Sequence, residues 1–127
     1  MKKVDTIWKI FIGYLILISL VLFTTQVNAQ SISEEGIVVV EFNAPFSKNK
    51  CEYLDDLNIE NIDIARVDIS KTPELQSKYK IVVVPTLIIF IDGEEKKRFQ
   101  ANIMMQLEAT REEVMLSIDE LLTKEAY

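Results

Sequence analysis

The sequence predicts an α/β domain: a four-stranded mixed sheet flanked by helices, in the order β-α-β-α-β-β-α. Three observations carry this. Residues 37–42 form a β-branched run, apolar except for Glu41, with the composition of a strand buried on both faces. Thr72-Pro73-Glu74 is a helix start set between two further strand-like runs. Asp92-Gly93 joins an apolar strand to a charged one as a two-residue hairpin turn, because Gly takes positive φ without steric cost.

Taken in order, the strand over 37–42 is followed by Ser47 or Asn49 as a cap for a short helix ending near Leu57. Tyr53, Leu54 and Leu57 would share one side of it. Residues 63–69 alternate, with Ile64 and Val67 set against Asp63, Arg66 and Asp68, and read as the second strand. The helix opened by Thr72 should run to about Tyr79. Residues 86–91 form the third strand. Residues 96–99 form the return strand, where Lys96, Lys97 and Arg98 suit a sheet edge. Thr110 and Glu113 form a capping box for the last helix, whose apolar stripe is Val114, Ile118, Leu121 and Leu122, with Met115 beside it. A parallel pair with a crossover, extended by a hairpin, closes the sheet.

The N-terminus has a different character. Lys2, Lys3 and Lys9 precede an apolar run of 14 residues, 10–23, and Val27-Asn28-Ala29 offers a cleavage site before Gln30. A spanning helix needs about 20 apolar residues, so residues 1–29 read as a signal peptide. The alternative is an uncleaved anchor, with Trp8 and Tyr14 at the interface. The expected location is exported, either periplasmic or secreted. Residues 30–36 then serve as a short linker, and 37–127 as the domain.

The signal holds 3 of the 14 basic and 1 of the 20 acidic residues, which leaves 11 against 19 and a net charge of −8. Like charge argues against nucleic acid as a partner, and against a membrane unless the signal is retained. The single cysteine, Cys51, excludes an internal disulfide. The absence of histidine excludes Ser-His-Asp and Cys-His catalysis and removes the commonest zinc ligand. No cofactor or metal is expected.

Three segments together resemble the thioredoxin family over about residues 37–122. "VVVEFNAPF" is similar to that family's Val-Asp-Phe-Trp-Ala-x-Trp strand. "VDISKTPELQSKYKI" is similar to its Val-Asp-x-Asp, Pro and Leu-x-x-x-Tyr-x-Ile spacing. "VVPTLIIFIDGE" is similar to its Pro-Thr-Leu strand and Asn/Asp-Gly hairpin. The chain looks like a minimal thioredoxin fold, similar to exported thioredoxin-like proteins of Bacteroidetes-type bacteria that lack the cysteine pair.

The resemblance implies a redox motif, Trp-Cys-x-x-Cys-Lys, on residues 46–51. Here Phe46 stands for the Trp, Ser47 for the nucleophilic cysteine and Lys50 for the resolving one; the lone thiol Cys51 falls one place beyond. A hydroxyl cannot replace the attacking thiolate, nor an ammonium the second thiol. Dithiol chemistry is therefore not expected. The resemblance also implies a cis Val84-Pro85 bond in a loop with Thr86, whose backbone would face an extended peptide. It places Glu41 at the family's buried carboxylate, with Arg66 beside it as a candidate ion pair.

The link over residues 99–109 is longer than in the family, and the first helix is shorter. Ile103, Met104 and Met105 in that link would either meet a partner or fill the gap beneath the shorter helix, the second being slightly preferred. Three functions stay open. The first is a redox-inactive module that binds a protein or extended peptide through Phe46, the cis-Pro loop and residues 103–105. The others are a monothiol oxidoreductase using Cys51, and a structural envelope component.

Overall fold

The computed structural model describes residues 2–22 and 31–126, in two compact units that divide after Gln30. The first contains α1 (Lys2–Leu22), with Trp8, Phe11, Tyr14 and Leu17 among its exposed apolar side chains. Among the described residues, no helix is long and apolar enough to cross a membrane. The expected cleavage junction at Ala29 and Gln30 lies outside the described residues.

The second unit holds β1 (Ile37–Asn43), β2 (Ile62–Asp68), α2 (Pro73–Lys78), β3 (Thr86–Ile91), β4 (Glu94–Gln100) and α3 (Arg111–Glu125). The sheet order is β2-β1-β3-β4. β1 runs parallel to β2 and antiparallel to β3, and β3 pairs antiparallel with β4. Asp92 and Gly93 both have positive φ, 50° and 79°, the backbone that a tight two-residue hairpin requires. The segment read as a linker is tied into this fold. Ile32 packs on the core, Gly36 N–H donates to Asp92 Oδ1 at 3.0 Å, and Asp92 N–H donates to Gly36 O at 2.9 Å.

Strand alternation sorts the core onto two faces. Val38, Val40, Phe42, Ile88 and Phe90 pack with Leu75 and Tyr79 of the α2 region. The Tyr79 ring lies edge-on to Phe90, with centroids 5.1 Å apart. Val39, Leu87 and Ile89 line the opposite face, covered by Leu54, Leu57 and the Val114 and Ile118 of α3. Both Thr110 capping-box bonds are present. Leu121 is partly buried, but Leu122 is 42% exposed and falls outside the stripe.

Two helix expectations need correction. The helix expected from Ser47 or Asn49 to Leu57 is a single 3-10 turn, Glu52–Leu54, preceded by an extended Cys51 (φ −70°, ψ 95°). Cys51 caps that turn, its O accepting from Leu54 N–H at 3.4 Å, while side chains described below also engage its N–H and O. Thr72 precedes α2, yet its hydroxyl makes no cap bond; it donates back to Asp68 O at 2.8 Å.

One short turn therefore supplies much of a core face. Leu54 is fully buried, so Leu54→Ala should lower stability by about 2–5 kcal/mol, read as a shift in the urea midpoint at unchanged slope.

Candidate functional site

Glu41 sits in the centre of β1 on the same face as Val39, and only 2% of it is exposed. A carboxylate so placed must find charge-matched partners or lose several kcal/mol to desolvation. It finds two. Cys51 N–H donates to its Oε2 at 2.6 Å, and Arg66, its register neighbour on β2, pairs with Oε1. Arg66 Nη2 also donates to Cys51 O at 3.1 Å and to Asp55 Oδ2 at 3.0 Å. The pair thus holds Cys51 by its main chain from both sides. Lys50, at the resolving-cysteine position, points its ammonium toward Asp55, 3.8 Å away.

A second set of bonds shapes the loop between β1 and Cys51. Ser47 N–H closes a turn onto Ala44 O at 3.0 Å. Asn43 Nδ2 and Ser47 Oγ both donate to Asn49 O, at 2.9 and 3.2 Å. Asn49 Nδ2 reaches across to Met105 O at 2.7 Å. Asn49 thereby ties the degenerate redox loop to residues 102–106. That second loop is itself a tight turn. Asn102 Oδ1 accepts from Met104 and Gln106 N–H, Met105 takes φ 58°, and an Ala101–Leu107 bridge closes the base.

The Val84-Pro85 bond is cis. Thr86 Oγ1 donates to Val83 O at 2.7 Å, and Ala101 N–H donates to Pro85 O at 3.1 Å. Among the described residues, no hydrogen bond engages the main chain of Val84. Phe46, Ile81, Val84, Ile103 and Met105 surround a cavity of about 200 Å³. Phe46 is 66%, Ile103 100% and Met104 69% exposed, and Met105 41%. This overturns the gap-filling reading of residues 103–105: the Asn102-centred turn projects them outward. The core beneath is filled by Leu54 and Leu57.

Cys51 is 3% exposed. Burial pushes its thiol up, partly countered by the hydroxyl of Tyr53 and reinforced by the charge on Glu41. Tyr53 is pushed up by the same burial, and its hydroxyl donates to Ala109 O at 2.6 Å. The site therefore offers a protonated, covered thiol and no second sulfur. Asn43, Asp55 and Asn102, which help organise it, were not among the residues singled out by sequence, and Asn49 was read only as a helix cap. The one available signal was the density of Asn near the motif, because Asn side chains bridge loop backbones.

The thioredoxin family model matches residues 19–113. The chain belongs to the thioredoxin family. It is 30% identical over 76 residues to the thioredoxin of Staphylococcus aureus, spanning 55% of this chain and 73% of that one. It is 35% identical over 63 residues to the chloroplastic thioredoxin Y1 of Arabidopsis thaliana, covering 50% of this chain but only 34% of that relative. Among solved structures, a cysteine-to-serine mutant of Entamoeba histolytica thioredoxin aligns with TM-score 0.54 at 25% identity, over 68% of this chain and 82% of that one. A designed protein aligns equally well, with TM-score 0.54 at 28% identity, over 69% and 78%. These thioredoxin relatives carry the fold. This chain has a single cysteine, Cys51.

Two outcomes test the clamp. Glu41→Ala leaves the Arg66 charge without its buried partner and should cost about 3–5 kcal/mol in a denaturant melt. Cys51 in the native wild type should alkylate slowly at neutral pH, and the rate should rise only above the ordinary thiol range. The raised pKa fixes the sign of the linked stability: it is complete below the unfolded thiol value and lost as pH rises through the folded one.

Proposed function

We propose that this chain is an exported, redox-inactive thioredoxin-fold module that binds a protein or extended peptide at the face of Phe46, Val84-Pro85 and residues 103–105. The observation that carries the reading is the coexistence of two things. The positions for thiol chemistry hold a hydroxyl and an ammonium, while the neighbouring apolar face stays open, with Phe46, Val82 and Ile103 each more than 60% exposed around one cavity. Exposed apolar side chains grouped on one face mark an interaction site. Met side chains adapt to varied partner shapes. The unengaged Val84 main chain beside that face suits the backbone of an extended segment.

The monothiol alternative draws no support from a cysteine that is 3% exposed with its pKa raised. An envelope location remains part of the proposal and rests on the lysines and apolar run of the N-terminal segment.

Two measurements test this reading. Insulin reduction in dithiothreitol should proceed at the rate of the protein-free blank; a clear protein-dependent acceleration would overturn the redox-inactive reading. An array of extended peptides probed with the protein should show sequence-dependent binding that Val84→Asp and Ile103→Asp each reduce at least tenfold, about 1.4 kcal/mol. Binding untouched by both substitutions would place any partner elsewhere.

A further inference from the structure

The cis Val84-Pro85 bond adjoins two hollows of different chemistry. Val84 lies in the wall of the smaller, about 200 Å³, and Pro85 in the wall of the larger, about 450 Å³; Asn102 belongs to both. The smaller reaches the buried core residues Ile69 and Ile81, and the exposed Phe46, Val82 and Ile103 stand around it. Among the described residues, no charged side chain lines it. Its two amides are engaged within the protein. Gln76 Nε2 donates to Ile81 O at 3.4 Å, and Asn102 Oδ1 accepts from the Met104 and Gln106 N–H groups. Sites that hold a whole small ligand begin at about 300 Å³, so this hollow suits a single large apolar side chain.

The larger hollow is charged. Glu52 and Glu108 both stand in its wall, and both are exposed. Among the described residues, Glu108 accepts only from the neutral Asn102 Nδ2, at 3.2 Å, and Glu52 has no hydrogen-bond or ion-pair partner. The one cation in the wall, Lys50, is drawn toward Asp55, which lies outside it. Tyr53 is in the same wall, its hydroxyl fixed on Ala109 O at 2.6 Å. An aromatic ring held in this way offers a surface to a cationic head or to the stem of a long basic side chain. Two carboxylates beside such a ring complement a lysine or arginine and repel an acidic group.

We propose that the partner of this face is an extended segment that seats a large apolar side chain beside Val84 and a lysine or arginine beside Pro85. This rests on the peptide-binding role proposed for the chain and specifies its ligand. The main-chain N–H and O of Val84, which no other described group engages, supply hydrogen bonds to the backbone of the segment. Both hollows open on the protein's side of that segment, so the two side chains that fill them leave one face of it. In an extended chain this sets them two positions apart. The net −6 of the chain helps to draw a basic segment in.

The test uses the full-length protein and labelled synthetic peptides in fluorescence anisotropy. The peptides carry Leu and Lys two positions apart on a serine and threonine background, in both orders. One order or both should bind. Replacing the Lys by Glu, or the Leu by Ser, should each weaken binding at least tenfold, about 1.4 kcal/mol. Added salt should narrow the margin of Lys over Glu. Glu52→Lys, with native melting confirmed, should lose that margin and gain affinity for the Glu peptide. Glu94→Lys, at the hairpin end of the sheet, should change neither. If both lysine variants act alike, the margin reports only the net charge of the chain, and the inference falls. Binding that Val84→Asp abolishes, yet that does not distinguish Lys from Glu, overturns the inference and leaves the proposed function standing. So do array peptides that bind while neither Leu and Lys order does. Absence of peptide binding in both experiments removes the two together.

Discussion

A buried carboxylate with no redox partner organises the functional end of this molecule. Glu41 is fixed on the central strand by the register of β1, and its desolvation must be compensated locally. Arg66 supplies charge and Cys51 supplies a main-chain N–H. The consequence is architectural. Cys51 is held extended, and from it the chain passes through a single 3-10 turn on its way to β2. Glu41 thus shapes a loop through its hold on Cys51. Arginine suits this better than lysine, because its fork reaches Glu41, Cys51 O and Asp55 together.

The shortened helix changes what surrounds the site without emptying it. Leu54 and Leu57 keep contact with Val39, Leu87 and Ile89 from very few residues, and the Tyr53 hydroxyl pins the turn to Ala109 just before α3. A cleft of about 450 Å³ opens beside it, lined by Lys50, Cys51, Tyr53, Pro85 and Gln106 among others. The larger cleft is lined by polar and apolar groups about equally; the smaller cavity near Phe46 and Val84 is mostly apolar, with Gln76 and Asn102 in its wall. Two asparagines separate them. Asn49 and Asn102 fix the loops on either side through main-chain carbonyls and N–H groups, and so leave the apolar side chains of residues 103–105 facing outward.

The environment of the thiol and the frame around it rest on different interactions. A thiolate nucleophile needs exposure and stabilisation of its negative charge; Cys51 is covered, and its burial outweighs the help of the Tyr53 hydroxyl and Arg66. The hairpin, the cis-proline loop and the two-faced core depend on none of this chemistry. They follow from apolar alternation and turn residues that the chain keeps.

The sequence by itself determined the sheet, the Asp92-Gly93 hairpin, the Thr110 capping box and the presence of a single thiol. Each is a local property: strand periodicity, positive φ at a turn, a hydroxyl three residues before a glutamate, and the identity of a side chain. Only the tertiary structure decided three other things. It turned the expected helix after Ser47 into one 3-10 turn, capped by an extended Cys51 whose N–H and O are held by residues 10 and 15 positions away. It turned Thr72 back to Asp68 in place of capping α2. It set Ile103, Met104 and Met105 outside the core, because an asparagine side chain and a positive-φ turn outweighed the pull of apolar burial. Contacts of long sequence separation leave no periodicity for a reader to find, and every one of these outcomes rests on where a polar side chain met a backbone.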